Sequence, residues 1–431
     1  MARVIRISEC STYNGQDVTV QGWVTTARSS GGIGFISLRD GSGELQGVVA
    51  RDHVPAETFA LCGSLTLESS VALTGKVVAE QRAPGGYELH VAAVQVFQVA
   101  EEYPIAKKEH GTEFLMDHRH LWVRSRRQRA ILRLRSEIAW AMRSSMREQG
   151  FVLTDSPILT PTAAEGTSTL FQTDFHGEPA YLAQTGQLYI EATAAALGRV
   201  YDFGPTFRAE KSKTRRHLAE FWMLDAEAAF VRHEQNLEIQ ERLITDVVHH
   251  VLTQCREELT ILERDTAPLE RVRPPFHRMR YDDAIAQLQQ SGADIAWGQD
   301  LGAEHETILS EAHDRPVFIT HYPAAIKAFY MQPDPTDARR VLNADLLAPE
   351  GYGEIIGGSE RADDLALLER KIVEFQLPKA EYEWYLDLRR YGSFPHSGFG
   401  VGLERLVTWI GKLPHVRESI PFPRLLNRLR P

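Results

Sequence analysis

The residues best placed for chemistry fall in one segment. Tyr201-Asp202-Phe203-Gly204-Pro205-Thr206-Phe207-Arg208-Ala209-Glu210 is followed by a polar loop, Lys211–His217, and then by Leu218-Ala219-Glu220-Phe221-Trp222-Met223-Leu224-Asp225-Ala226-Glu227. The pattern reads as strand, basic loop, strand. Alternate strand residues share a face, so Thr206, Arg208 and Glu210 are expected on one side of the first strand. Phe221, Met223, Asp225 and Glu227 are expected together on the second. Arginine, acids and an aromatic ring on one sheet face make a poor core and a good site. The planar guanidinium of Arg208 matches a carboxylate or a phosphate. The ring of Phe221 offers a surface on which a purine can stack. The alternative is an exposed hairpin with solvated charges, including Lys211, Lys213, Arg215 and Arg216 of the loop.

Two further segments bear on the same chemistry. In His396-Ser397-Gly398-Phe399-Gly400-Val401-Gly402-Leu403-Glu404-Arg405, three glycines alternate. On a strand they would leave one face bare, so that a flat ligand can lie on the backbone. A helix is expected from Leu403, with Arg405 in its first turn, where a cation opposes the helix dipole. Such a local conflict suggests a functional task. The spacing is G-x-G-x-G outside any βαβ context, which excludes a dinucleotide fingerprint. In Gly353-Glu354-Ile355-Ile356-Gly357-Gly358-Ser359-Glu360-Arg361, the carboxylate of Glu354 suits Mg²⁺ bridging phosphates, with Asp345 as a second ligand.

These segments need scaffolds. Within residues 1–102, alternating runs at Val18–Val24, Phe35–Leu38, Leu45–Val49, Val71–Val78 and Tyr87–Val91 are separated by Gly-rich turns. Five short strands of this kind suit an oligonucleotide-binding β-barrel. Residues 103–120 read as a linker. Residues 121–431 mix helices and strands without βαβ regularity, which predicts an α+β domain built on an antiparallel sheet flanked by helices. A helix is expected over Arg124–Gln149, with Ile131, Leu134, Ile138 and Met142 on its apolar stripe and Gly150 ending it. Residues 256–315 look like an insertion.

Of the 431 residues, 43% are hydrophobic and 25% charged, which is ordinary for a globular protein of two or three domains. A net charge of −10 argues against bulk-charge attachment to nucleic acid, while local patches such as Arg119–Arg135 stay compatible with a nucleic-acid substrate. No apolar run is long enough for a membrane span. Cys10, Cys62 and Cys255 form no disulfide or zinc pattern, so the cytoplasm is the expected compartment.

Together these residues resemble a known family. Phe207-Arg208-Ala209-Glu210 with His217 and Glu220-Phe221 resembles motif 2 of the class II aminoacyl-tRNA synthetases, and Gly398–Arg405 resembles motif 3. Gly150–Pro161, with Pro157, resembles motif 1. The N-terminal barrel is similar to that of the subgroup for aspartate, asparagine and lysine. Thr206–Leu224, Asp345–Arg361 and Tyr382–Pro423 are most similar to the asparagine-specific members.

The resemblance implies an ATP- and Mg²⁺-dependent enzyme that activates L-asparagine and transfers it to tRNA(Asn), working as a homodimer through motif 1 around Pro157. It implies that Arg208 bridges the amino-acid carboxylate and the α-phosphate, and that Glu210, Arg216, His217, Leu218 and Gly402 meet ATP. Phe221 and Arg405 are expected to sandwich adenine, and Glu354 and Asp345 to hold the metal. Glu165 and Gln187 are expected at the substrate's ammonium end, with Arg361 and Asp225 at its side chain. Arg28, Phe35 and Gln46 are expected to read the anticodon. Aspartate-specific relatives carry a lysine at the position of Ile190 and a serine at that of Gly357. Position 225 is usually Glu in asparagine enzymes, and here it is Asp, as in aspartate enzymes. Aspartate specificity and an asparagine synthetase on the same catalytic fold are the alternatives; the latter needs no anticodon barrel.

Overall fold

The computed structural model describes residues 2–106, 108–161, 170–212 and 214–431. The chain divides into two units, Met1–Gly111 and Thr112–Pro431.

In the first unit the expected runs become β2 (Asp17–Ser30), β3 (Ile33–Arg39), β4 (Glu44–Ala50), β5 (Ser70–Ala79) and β6 (Tyr87–Gln98). They pair in the order β2-β3-β4-β6-β5, and β5 returns to β2, which closes a five-stranded barrel; a short β1 (Arg3–Ile5) adds alongside β2. Closure removes the unpaired sheet edges. Alternation puts Val20, Ile36, Leu38, Val49, Leu73 and Leu89 in a solvent-free core. Their neighbours in sequence therefore face outward. Phe35 pairs with Arg28 across β2 and β3, and Ser37 pairs with Gln46 across β3 and β4. The half-buried Phe35 ring lies under the Arg28 guanidinium, 5.3 Å from centroid to Cζ.

The second unit is built on an eight-stranded sheet among the described residues. Its strands are β7 (Val152–Leu153), β8 (Arg199–Phe207), β9 (Glu220–Ala229), β10 (His277–Arg280), β11 (Val317–Thr320), β12 (Asn343–Ala348), β13 (Gly353–Glu360) and β14 (His396–Gly402). The order is β10-β11-β12-β13-β14-β9-β8-β7. The interior pairs are antiparallel, and the outermost pair at each edge is parallel. Helices α1 (Arg126–Glu148), α2 (Gln187–Leu197), α3 (His233–Gln254), α4 (Ala303–Glu311), α5 (Glu383–Arg390) and α6 (Leu403–Ile410) surround it. The main core joins α1, α3 and α6 to one face of the sheet, through Leu134, Ile138, Val247 and Trp409 against Leu224, Ile356 and Val401. Ser125 caps α1 by accepting from the Gln128 N–H at 3.3 Å. Gly150 stops the chain after α1 at φ +83°, a conformation that costs glycine little.

Two expectations are corrected here. Residues 112–120 do not run as a linker. They form the helix Thr112–Asp117 and the start of Arg119–Trp122. Arg119 is fully buried, donating to the Pro421 and Ile420 carbonyls at 2.8 and 2.9 Å and to Gln128 Oε1 at 2.8 Å. Residues 256–315 are not a separate insertion either. They supply β10 and α4, and Tyr281, Ile285, Leu288 and Leu309 pack with Val317, Ile319 and Leu347 of the sheet. Their polar composition reflects helices with one exposed side. No described helix is long and apolar enough to cross a membrane.

Candidate active site

The sheet face opposite the main core carries two rows of residues set by strand register. One row runs Asp225, Gly400, Gly357, Asp345 across β9, β14, β13 and β12. The next runs Glu227, Gly398, Ser359, Asn343. Residues directly opposite on neighbouring strands project to the same side, so acids and glycines from four strands converge. The glycines do not leave the expected bare platform. A Cβ on Gly398 would collide with Glu227, and one on Gly400 would lie 2.8 Å from Asp225 Oδ1. These two glycines make room for acids of β9, and only at Gly402 would a side chain meet nothing closer than Arg405 at 3.9 Å.

A cavity of about 750 Å³ opens over this face. Its walls include Gln187, Arg208, Glu210, Arg216, His217, Leu218, Phe221, Asp225, Asp345, Glu354, Arg361, Gly402 and Arg405. Strand β8 ends at Phe207, so Arg208 and Glu210 reach the cavity from the hairpin loop, while Thr206 is buried away from it beside a smaller hollow. Arg208 covers the Phe221 ring at 5.5 Å. Arg405 lies on the cavity wall beside Glu354. Its Nη1 donates to Glu354 Oε2 at 2.9 Å and to the Glu354 carbonyl at 3.0 Å. Arg216 is held against α4, donating to Glu306 Oε2 at 2.9 Å, Thr307 Oγ1 at 2.6 Å and the Gly351 carbonyl at 2.7 Å. His217 approaches Glu210 at 3.6 Å, and burial followed by the charge of Arg405 pushes its imidazole pKa down.

At the other end, Arg361 is 3% exposed. Its Nε and Nη2 donate to Glu227 Oε1, the first at 2.8 Å, and its Nη1 donates to Ser359 Oγ at 2.7 Å. Against the penalty of burial, Glu227 holds the guanidinium pKa well above its ordinary value. Asp225 Oδ2 accepts from Thr185 Oγ1 at 2.7 Å and from the Gly186 N–H at 2.8 Å. Ile190 is not a cavity residue: it is 1% exposed and packs with Ala194 and Val200. Glu165 lies outside the described residues. Arg28, Phe35 and Gln46 belong to the barrel.

The phosphate end gathers acids. A register shift between Leu346 and Leu347 pairs Leu347 with Glu354. Such bulges re-aim side chains, and this one brings Glu354 Oε1 within 3.1 Å of where a Cβ on Gly357 would lie, with Asp345 Oδ1 at 3.7 Å from the same point. Asp345 Oδ2 accepts from Lys327 Nζ at 2.7 Å. Glu306 accepts from the Glu354 N–H at 3.0 Å, and burial together with the charge of Glu354 raises its carboxyl to about 7. Among the described residues no three His, Cys, Asp or Glu side chains are grouped to hold a metal by themselves. Two hard oxygen donors facing one gap do fit Mg²⁺, which takes one or two carboxylates and completes its shell with phosphate and water. Lys327, Glu306 and Glu191 were not legible as site residues. Each depends on a partner distant in sequence, and none stands in a local pattern.

Residues 111–426 match the model for class II tRNA synthetases (D, K and N), and residues 18–97 match the OB-fold nucleic acid binding domain. The asparagine–tRNA ligase of Pelotomaculum thermopropionicum is 56% identical over 427 residues, covering 99% of both chains. That of Symbiobacterium thermophilum is 56% identical over 434 residues, again covering 99% of both. The structure of asparaginyl-tRNA synthetase from Pyrococcus horikoshii complexed with asparaginyl-adenylate is similar at a TM-score of 0.97 and 44% identity, over 100% of both chains. The aspartyl-tRNA synthetase from Entamoeba histolytica is more distant, at a TM-score of 0.83 and 27% identity, covering 100% of this chain and 93% of that one. With its cavity, its three motifs and its anticodon barrel, the chain belongs to the class II aminoacyl-tRNA synthetases of the aspartate, lysine and asparagine group.

Proposed function

We propose that this enzyme joins L-asparagine to tRNA(Asn) in the cytoplasm. The asparagine carboxylate attacks the α-phosphate of ATP and pyrophosphate leaves. The acyl group of the adenylate then passes to the 3′-terminal ribose of the tRNA, and AMP is released. Arg208 neutralises charge between carboxylate and α-phosphate. Glu210, Arg216, His217, Leu218, Gly402 and Arg405 meet ATP, and Phe221 meets adenine. Glu354 with Asp345 would hold Mg²⁺, which supplies further charge neutralisation at the phosphates. Gln187 receives the ammonium group. Catalysis of this kind rests on positioning and preorganised charge.

The observation that carries asparagine over aspartate is the Arg361–Glu227 pair, which presents hydrogen-bond donors with the charge already matched. The strong similarity to asparagine-specific enzymes supports the same reading. The test is pyrophosphate exchange and tRNA charging with asparagine and aspartate side by side. Exchange that depends on asparagine is expected. Equal use of aspartate, or no amino-acid-dependent exchange, would overturn it.

For the barrel, Phe35→Ala is expected to leave pyrophosphate exchange intact and to weaken tRNA(Asn) charging. Loss of one base–aromatic stack costs about 1–3 kcal/mol, roughly a 5- to 160-fold rise in KM for tRNA. Unchanged charging would make Phe35 an ordinary surface ring. For assembly, Val152, Leu153, Ile158 and Leu159 around Pro157 are each more than 40% exposed. A run of exposed apolar residues marks an interaction surface, and it supports a homodimer through this motif. Sedimentation of Leu153→Glu/Ile158→Glu is expected to show a monomer; an unchanged dimer would place the interface elsewhere.

A further inference from the structure

Beneath the amino-acid end of the cavity lies a carboxylate that none of the roles above uses. Glu191 sits one turn beyond Gln187 in α2 and is 1% exposed. Donors surround it: Gln187 Nε2 at 3.1 Å, the Tyr385 hydroxyl at 2.9 and 2.8 Å from its two oxygens, Arg389 Nη2 at 2.8 Å and His396 Nε2 at 3.1 Å. Burial opposes its charge, yet Arg389 and then the hydrogen bond from His396 hold its pKa below the usual carboxylate range, so it is ionised. An ionised carboxylate only accepts hydrogen bonds. Its contact with Gln187 therefore selects between the two ways that amide can lie, with nitrogen toward Glu191 and oxygen away from it.

The rest of Gln187 is fixed too. Its backbone N–H donates to Thr185 Oγ1 at 3.1 Å, and the Thr185 hydroxyl donates to Asp225 at 2.7 Å. Gln187 lines the cavity. An amide oxygen turned to a ligand receives an ammonium group, whereas an amide NH₂ turned to it sets donor against donor. The hub also reaches the far end of the pocket, because Arg389 Nε donates to the carbonyl of Ala362, the residue after Arg361, at 2.9 Å.

We propose that Glu191 is a positioning residue for amino-acid activation, locking the Gln187 amide with its oxygen toward the α-ammonium group of the substrate. The proposal rests on the assignment of Gln187 to the ammonium end. It differs from a purely structural role in one respect: the loss on removing the charge falls on ligands that carry the ammonium group.

The experiment compares the wild type with Glu191→Gln, which keeps the shape and lets the Gln187 amide turn over. Asparagine KM in pyrophosphate exchange is expected to rise about 10-fold or more, the scale of a lost charge-assisted hydrogen bond. KM for ATP is expected to stay unchanged, as is the inhibition constant of succinamate, which is asparagine without its amino group. Glu191→Asp keeps the charge for Arg389 and His396 but draws the oxygens back from Gln187. It is expected to show the same selective loss, and it decides the matter if Glu191→Gln does not fold. Gln187→Ala is the control for the underlying assignment: an unchanged asparagine KM there would remove Gln187 from the ammonium end. If Gln187→Ala raises that KM while the Glu191 variants do not, or if they weaken succinamate equally, the positioning role is overturned.

Discussion

Replacement of Arg208 by alanine is expected to lower asparagine-dependent pyrophosphate exchange by about 10²- to 10³-fold or more, with fold and assembly unchanged. Arg208 follows the end of β8, is only partly buried, and lies over Phe221 on the cavity wall. It is outside the hydrophobic core clusters, so its truncation opens no cavity in them. Burial pushes the Glu354 carboxyl pKa up, and the charge of Arg208, after the larger effects of Arg405 and Lys327, helps hold it below the ordinary value. What the variant loses is positive charge aimed where negative charge grows during attack on the α-phosphate. One preorganised donor of this kind contributes roughly 3–4 kcal/mol in a water-excluded site. Both KM for ATP and kcat should suffer, kcat the more, because the interaction strengthens in the transition state. Exchange within a few-fold of wild type, in a variant with the wild-type melting temperature, would remove Arg208 from the reaction.

The parts of this site that were legible in the sequence are those whose geometry is local. A hairpin places Phe221 and Asp225 by strand period and carries Arg208 and Glu210 in the loop just past the end of β8, and all four line the cavity. The cation at the start of α6 was a local contradiction, and its resolution is local in space: Arg405 is bonded to both the side chain and the carbonyl of Glu354. The barrel strands followed from period-two alternation interrupted by glycine turns. Where several elements must meet, the sequence gives no such handle. Glu191 and Arg389 are 198 positions apart, and Glu227 and Arg361 are 134 apart. A buried acid on a helix has the same letters around it as a solvated one. The alternation rule also failed at the bulge, since Glu354 and Gly357 are three residues apart and would face opposite sides of a regular strand. Asp345 was legible as an acid near the phosphates, but its partner Lys327, on a loop, was not.

The choice between asparagine and aspartate is expected to move with Glu227. The two substrates differ by an amide in place of a carboxylate, so the pocket discriminates by charge and donor pattern. Ile190, where the family resemblance implies a lysine in aspartate enzymes, is packed in an apolar cluster with Ala194 and Val200. A lysine there must be desolvated unless its tip escapes, so Ile190→Lys is expected to lower stability before it alters selectivity. Asp225 has one oxygen committed to Thr185 and Gly186, which limits it as an amide acceptor. The charge that matters lies on Arg361, and Glu227 matches it at the back of the pocket. The remaining N–H groups of Arg361 can donate to an amide oxygen at no net charge. An aspartate carboxylate would instead place a further negative charge near Glu227 and Glu191, with Arg361 shared among them, a repulsive element against the wrong substrate. Glu227→Gln keeps a hydrogen-bond acceptor for Arg361 and removes the competing charge. The kcat/KM ratio of asparagine to aspartate is therefore expected to fall by about 10- to 100-fold, the scale of one charge-assisted hydrogen bond. The fall should come from better use of aspartate as well as poorer use of asparagine. A folded Glu227→Gln enzyme that loses both substrates equally, or keeps the wild-type ratio, would show that the neutralised arginine does not set the choice.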